Sequence, residues 1–382
     1  MTSADVVIVG GGAVGVSAAY HLARAGAGRV LLVERADAVG TGSTGACAGG
    51  FRHQFSSRIN IELSLASVPM IVGFSEEHGL PLDVAQDGYL FLVRSEAEWE
   101  AFRGAAALQR SLGVDAKLLT PAEAAEIAPG IGVDDLVGAT FCADDGIADP
   151  GGLTQGYATA ARRAGAEIVF GCAVTEVEVR GERVVGVRTE DGVIGASVVV
   201  NAAGPWAGAL AASAGIDLPL EPIPRMVVTT GPFDGMPSRR TLVIDAATSY
   251  YFHKEGDGVL TGMGRRDEVP SFDLSIDHRF VEEELLPTAV RVFPPIERAG
   301  IANMWAGLYE MTPDRHPIIG ESPVPGLLLA NGFSGHGFQH APIVGKLLAE
   351  IVVDGRAHTV DIAPLSFDRF ARGQLVVEGH VV

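Results

Sequence analysis

Cysteine is scarce in this chain. There are three in 382 residues, Cys47, Cys142 and Cys172, widely separated and in no C-x-x-C pair. That spacing argues against a disulfide framework and a cysteine-held metal, and it fits a reducing compartment. Positive charge is also short: 28 Lys and Arg against 47 Asp and Glu give a net charge of −19 at pH 7. Such a chain is repelled by nucleic-acid phosphates and by anionic membranes. The acidic residues are dispersed rather than gathered in a tail, so they read as a solubility trait. No apolar run reaches the roughly 18 residues that cross a bilayer. No basic stretch precedes an apolar one at the N-terminus, so a signal peptide is not expected and a cytoplasmic location is. Internal repeats and low-complexity tracts are absent as well. What is present is material for a large core, 47% hydrophobic against 20% charged, in a length that suggests two domains.

The most informative residues come first. Asp5-Val6-Val7-Ile8-Val9 runs into Gly10-Gly11-Gly12-Ala13-Val14-Gly15. A helical pattern follows to about Arg24, then a second apolar run, Val30 to Val33, ending in Glu34. This is the strand, glycine turn, helix, strand and acid of a dinucleotide-binding unit. Gly10 allows the tight turn, Gly12 lets a pyrophosphate approach the backbone, and Gly15 lets helix and strand pack closely. The helix N-terminus offers free N–H groups and a positive dipole end to phosphate. Glu34 stands where a carboxylate accepts hydrogen bonds from a ribose and repels a 2′-phosphate, which disfavours NADP.

Further along, segments of two kinds alternate. Gly40 to Gly50 is a small-residue loop whose backbone and hydroxyls can meet a ligand. Helices are expected over about Asn60–Glu77, Glu96–Leu112, Leu153–Arg163, Asp277–Val292 and Ala341–Val353. Strands are expected at Gly88–Val93, Glu167–Phe170, Val193–Val200, Gly258–Gly262 and Gly326–Ala330, with a hairpin of Thr175–Val179 and Arg183–Thr189. Thr120-Pro121 reads as an N-cap followed by proline at the first helical position. The reading is an α/β chain: a Rossmann-type nucleotide domain built discontinuously from residues 1–85, 145–215 and 326–382, and a second, antiparallel-sheet α+β domain from 86–144 and 216–325. That second sheet is expected to floor a substrate pocket.

Several motifs together carry a family resemblance. They are the N-terminal fingerprint, Ser43-Thr44 with Gly49-Gly50-Phe51-Arg52, and Ala202-Ala203-Gly204-Pro205-Trp206. Toward the C-terminus come Thr312-Pro313-Asp314-Arg315-His316-Pro317-Ile318-Ile319-Gly320 and Gly332-Phe333-Ser334-Gly335-His336-Gly337-Phe338. From Val6 to about Ile351 the chain resembles the FAD-dependent amine and amino-acid oxidoreductases of the D-amino-acid oxidase superfamily, most of all sarcosine oxidases and the flavin subunit of dye-linked L-proline dehydrogenases. The resemblance implies bound FAD and oxidation of the C–N bond of a secondary amine or amino or imino acid. The flavin would take a hydride from the carbon beside nitrogen, so no nucleophile triad or carboxylate pair is required. For the cofactor it implies Gly10, Gly12, Gly15, Glu34 and Arg35 at the dinucleotide end, and Ser43, Thr44 and Val174 beside it. Ala203, Gly204, Trp206 and Gly307 line it, and Gly332, Gly335, His336, Gly337 and Phe338 hold the flavin edge. For the substrate it implies Arg52 toward a carboxylate, a pocket tyrosine at Tyr309, and Tyr250 or Tyr251 facing the flavin, with Tyr251 preferred. His53 and His253 read as ordinary hydrogen-bonded histidines.

The chain also departs from the family pattern. Where some members attach FAD through cysteine, this chain has Gly307, so non-covalent FAD is expected. Where multi-subunit members attach a second flavin to histidine, it has Pro150. The lysine that pairs with the clamp arginine is replaced by Gln339, which removes half of the carboxylate clamp. The lysine that activates oxygen aligns near Leu260, so a dehydrogenase is expected rather than an oxidase. Partners are then a small amine or amino-acid substrate and an unspecified electron acceptor, without nucleic acid or membrane insertion, with homo- or hetero-oligomers left open. Competing readings are a flavin monooxygenase, disfavoured by the C-terminal glycine motif, and a flavin-binding scaffold or assembly factor that has lost its chemistry.

Overall fold

A computed structural model describes residues 3–265 and 267–380. Its centre is a six-stranded sheet with Val6–Val9 in the middle. Val30–Val33 and then Glu167–Val169 lie parallel on one side, and Val198–Asn201 and Leu327–Asn331 lie parallel on the other. Ile318–Glu321 closes that edge in antiparallel pairing with Leu327–Asn331. The central strands are near-continuous Val, Ile and Leu because both faces are covered. Val6 and Ile8 join a core with helices Ala13–Arg24, Pro150–Arg163 and Gly337–Asp354. Val7 and Val9 join a second core, under the three-stranded sheet of Val174–Arg180, Arg183–Thr189 and Gly192–Gly195. Helices Ala13–Arg24 and Gly337–Asp354 meet so closely that a Cβ on Gly345 would press into the backbone of Ser17 and Ala18.

The second half is an eight-stranded sheet. In spatial order its strands are Ile301–Met311, Glu221–Thr230, Gly258–Met263, Tyr250–Glu255, Leu242–Asp245, Tyr89–Val93, Gly138–Cys142 and Lys117–Leu119. It is antiparallel except for one parallel pairing, Leu242–Asp245 with Tyr89–Val93. One face carries Val228, Val243, Tyr250 and Phe252 into a core with Phe280, Leu285 and Val292. The other face looks at the nucleotide half. Because strand neighbours point to opposite sides, Tyr250 goes to the core and Tyr251 to the cavity between the halves.

Several boundaries differ from expectation for local reasons. The helix expected over 60–77 is Arg58–Val72 followed by Phe74–His78, divided at Gly73. The one expected from 277 to 292 contains a π-helical turn at Val281–Leu285 ahead of Pro287. The helix expected from 341 to 353 starts at Gly337, directly out of the glycine loop. The 40–50 loop contains a short helical turn, Ser43–Ala46. Ile318–Glu321 lies within the 216–325 range read as the second domain, yet its apolar Ile318-Ile319 pair adds to the nucleotide sheet.

Thr312 to His316 crosses between the two sheets and is fixed by a buried ion pair. Arg369 meets Asp314 through Nε at 2.7 Å and Nη2 at 2.9 Å, and also donates to the carbonyls of Leu365, Ser366 and His316. Both side chains are only 2% exposed. Beyond Arg372, the segment to His380 lies back against the start of helix Arg58–Val72. Glu378 accepts hydrogen bonds there from the N–H and hydroxyl of Ser56 and of Ser57, and from the Asn60 amide.

Candidate active site

A cavity of about 740 Å³ runs between the two halves, from the first glycine turn to the face of the larger sheet. It falls within the size range of small-molecule and cofactor sites. At one end, helix Ala13–Arg24 begins at Gly12, which has no side chain to cap the helix. Thr44 reaches that turn, its Oγ1 accepting from Ala13 N at 3.2 Å. Gly10 has φ +109, and a Cβ there would strike the Ala202 carbonyl. At the end of its strand, Glu34 accepts from Gly11 N at 2.6 Å and Ala36 N at 2.8 Å. Arg35 lies over the Trp206 ring at 3.7 Å. Ser43, Val174, Ala203 and Gly204 complete this part of the wall.

Two expected cofactor residues do not line the cavity. Gly15 lies behind the turn, where a Cβ would run into the Gly10 carbonyl; its place is helix–strand packing. Gly332, at φ +75, faces Thr312, whose methyl a Cβ would strike. It is a turn residue between the last parallel strand and the His336 loop.

At the other end, strands Glu221–Thr230 and Ile301–Met311 set Arg225 opposite Gly307 and Val227 opposite Trp305. Gly307 is tight against the 43–46 turn: an added Cβ would lie 2.7 Å from the Ala46 Cβ, and Trp305 Nε1 donates to Ala46 O at 3.0 Å. Tyr251, Tyr309, Arg52, Gln339, Gly335, His336, Gly337 and Phe338 all line this end. Burial pushes the phenols of Tyr251 and Tyr309 upward, so both are neutral hydrogen-bonding groups at neutral pH. Burial, reinforced by the Arg52 charge, holds His336 well below its usual value, so its imidazole is neutral.

Arg52 is where it was expected, but its hydrogen bonds were not. Its guanidinium lies over the Phe55 ring at 3.9 Å and donates to the carbonyls of Gln54 and His380. Gln339 holds the Arg52 backbone from both sides, accepting from its N–H at 3.0 Å and donating to its carbonyl at 3.3 Å. Thus Gln339 positions the arginine at the place where the family pattern has a lysine. His53 bonds Asp145 at 2.8 Å, and His253 bonds Ala48 O at 3.1 Å and Lys254 O at 2.9 Å. Both are hydrogen-bonded, as expected, the neutral His253 ring donating its single N–H to one of the two carbonyls.

Leu260 requires correction. It is buried and does not line the cavity; it pairs with His253 and Thr229. Gly262 is the strand residue opposite Tyr251, and its missing Cβ leaves room for the Tyr251 hydroxyl. The cavity nevertheless has no lysine among its described lining residues; its strong cations are Arg35, Arg52 and Arg225.

Among the lining residues that the sequence did not point to are Tyr89, Arg225 and Glu310. Glu310 accepts from Phe333 N at 3.3 Å through Oε1, whereas Oε2 has no partner. Burial raises its carboxyl from 4.5 to about 7. Only the alternation along Ile301–Met311 and Glu221–Thr230 hinted at Glu310 and Arg225, and alternation does not say which face meets a ligand.

The residues fit FAD. The bare glycines and the helix N-terminus would hold a pyrophosphate, and Glu34, at the end of its strand, would meet a ribose. Among the described residues, five polar atoms without hydrogen-bond partners belong to the lining: Ser43 Oγ, Arg225 Nε and Nη1, Glu310 Oε2 and His336 Nδ1. Residues 5–351 match the family model described as FAD dependent oxidoreductase. The chain belongs to that family.

As an FAD-dependent oxidoreductase it has relatives of several kinds. It is 31% identical over 373 residues to mouse (Mus musculus) sarcosine dehydrogenase, mitochondrial, covering 93% of this chain and 40% of the relative. It therefore spans less than half the length of that protein. It is 32% identical to FAD-dependent oxidoreductase domain-containing protein 1 of Xenopus laevis, over 99% of this chain and 85% of that one. Among solved structures, L-proline dehydrogenase from P. horikoshii superposes with a TM-score of 0.91 at 33% identity, covering 98% of this chain and 99% of that one. No described helix is long and apolar enough to cross a membrane.

With Gly307 at the attachment position of covalent relatives, FAD should leave the protein on acid or heat precipitation. Yellow colour in the supernatant and none in the washed pellet is the expected result, read by absorbance.

Proposed function

We propose that this chain oxidises the C–N bond of a secondary amine or an amino or imino acid, of the sarcosine or proline kind, and passes the electrons to an acceptor other than oxygen. The observation that carries this reading is the far end of the cavity. Two neutral phenols, Tyr251 and Tyr309, and two buried guanidiniums, Arg52 and Arg225, converge there beside Gly307 and His336. Such a chamber suits a small zwitterion with an apolar body. FAD, held by the glycine turn and the His336 loop, supplies the hydride acceptor.

The chain's own residues do the rest. Arg52 sets a positive potential that favours an anionic substrate and disfavours a bare cationic amine. Gln339 fixes the Arg52 backbone, and the His380 carbonyl fixes its guanidinium. Tyr251 and Tyr309 offer hydroxyls for orientation. The phenyl rings of Phe55 and Phe91 back the arginine and exclude water from behind it.

Anaerobic mixing with a panel of N-methyl amino acids, cyclic imino acids, primary amino acids and simple amines tests the proposal. Bleaching of the flavin absorbance by one acidic class and not by plain amines is expected. An unbleached flavin across the panel would refute it and favour a scaffold, whereas bleaching by a nicotinamide alone would favour a monooxygenase.

Among the described residues lining the cavity none is a lysine, so none of them offers an ammonium to charge building up on oxygen. The reduced protein should therefore react slowly with air-saturated buffer and rapidly with an artificial dye. Stopped-flow reoxidation decides this, and an oxygen rate equal to the dye rate would remove the dehydrogenase assignment.

A further inference from the structure

Arg225 stands apart from Arg52. Both are buried and line the cavity, but Arg52 is committed to the carbonyls of Gln54 and His380. Arg225 has no such commitment. Its Nε and Nη1 are buried without a hydrogen-bond partner. It lies in register with Gly307, and its guanidinium sits 4.9 Å from the centre of the Tyr309 ring. Irregular backbone at Gly264–Arg265 and at Asp267–Asp277 forms a segment beside Arg225. Glu268 of that segment makes an ion pair with Arg225 Nη1 without an aligned hydrogen bond.

The rest of that segment resembles a strap. Its ends are joined by the Arg265–Asp277 pair, and Ser271 N donates to Pro222 O at 2.8 Å. Phe272 stacks at 5.9 Å on Trp206, the ring that also carries Arg35. Leu274 lines the cavity, while Val269 is 71% exposed. An exposed apolar side chain and a glutamate on an exposed residue, paired with a buried arginine, are costly choices for a surface loop unless the contact is exchanged for another.

We infer that Arg225 is the anchor for the substrate carboxylate, and that Glu268 holds its place in the free enzyme until an incoming carboxylate displaces it. The exchange is one carboxylate for another, so the buried guanidinium is never left without a counter-charge, which would be costly. A planar guanidinium with two free N–H directions gains bidentate bonds from a small carboxylate that the glutamate, tethered to its strap, does not make. The site therefore selects acids over amines through Arg225, while Arg52, fixed by backbone carbonyls, contributes field rather than a direct bond. This assignment rests on the proposed oxidation of an amino or imino acid at the same cavity.

The test uses the FAD-loaded protein and pyrrole-2-carboxylate, a flat acid that cannot be oxidised as proline is, with flavin absorbance reporting its binding. Arg225→Met should raise its Kd by about 30-fold or more, the scale of removing one member of a desolvated charge pair. Arg225→Lys should recover part of that loss. Glu268→Gln should shift Kd the other way, tightening it about threefold or more, because the competing carboxylate is gone; that variant leaves the buried arginine in place and guards against a misfolded Arg225→Met. Unchanged binding in Arg225→Met, or weaker binding in Glu268→Gln, overturns the assignment. If amino acids still bleach the wild-type flavin in that case, the proposed function stands and this inference alone fails. If wild-type protein shows neither bleaching nor a response to the acid, both fail.

Discussion

Gly12→Val should yield a folded protein with no flavin. A Cβ at Gly12 meets only the Thr44 hydroxyl, at 3.3 Å, so the apoprotein tolerates the substitution. The isopropyl group instead fills the space over the first N–H groups of helix Ala13–Arg24, where a pyrophosphate must approach. A steric loss of about 4 kcal/mol raises Kd by about a thousandfold. The measurement is flavin content after purification, together with far-UV circular dichroism. A full complement of FAD in this variant would show that the dinucleotide lies elsewhere in the cavity.

The second large effect concerns stability. Arg369→Ala should destabilise the protein by about 3–5 kcal/mol, the cost of leaving one member of a buried ion pair alone. Asp314 would be stranded, and the Leu365, Ser366 and His316 carbonyls would lose their donor. Denaturant unfolding of the apoprotein measures this. A change within about 0.5 kcal/mol, the range of ordinary surface substitutions, would contradict the role given to the pair. Acid should expose the same feature. Burial alone would raise the Asp314 carboxyl, but the Arg369 hydrogen bonds and charge outweigh it and hold it below its usual 3.8. A depressed carboxyl contributes stability that is present above its unfolded value and is lost as pH falls through the folded one. Wild-type protein should therefore lose stability below about pH 4 more steeply than Arg369→Ala does.

The nucleotide end of the molecule was legible because its physics is local. Gly10, Gly12 and Glu34 are read from spacing alone, since one strand, one turn and one helix suffice to place them. Tyr251 over Tyr250 needed only the alternation of a strand and the knowledge of which face is wet. The substrate end was less legible, because its residues come from strands far apart in sequence. Arg225 meets Gly307 and Tyr309 only through pairing of two strands, and nothing in Glu221–Thr230 marks its arginine as different from a surface cation. Leu260 shows how narrow the margin is. A displacement of two residues along one strand exchanges it for Gly262, which has the same orientation and stands beside Tyr251. The commitment of Arg52 to His380 was beyond reach for a similar reason: the segment that binds it carries no motif.

The order of strands in the central sheet bears on how the chain is made. Val6 pairs with Val198, and Val199 with Leu327. During synthesis the first βαβ unit emerges early, yet one edge of its central strand stays open until residue 201 is available. The next edge waits for residue 331. Pairings so distant make folding slow and leave apolar edges exposed meanwhile. The His336 loop follows those strands in the chain, so the cofactor's binding site is completed only after residue 331 has been made. Overproduction without matching flavin supply should therefore accumulate aggregates of nascent chains rather than soluble apoprotein, and slowing synthesis should help more than adding cofactor afterwards.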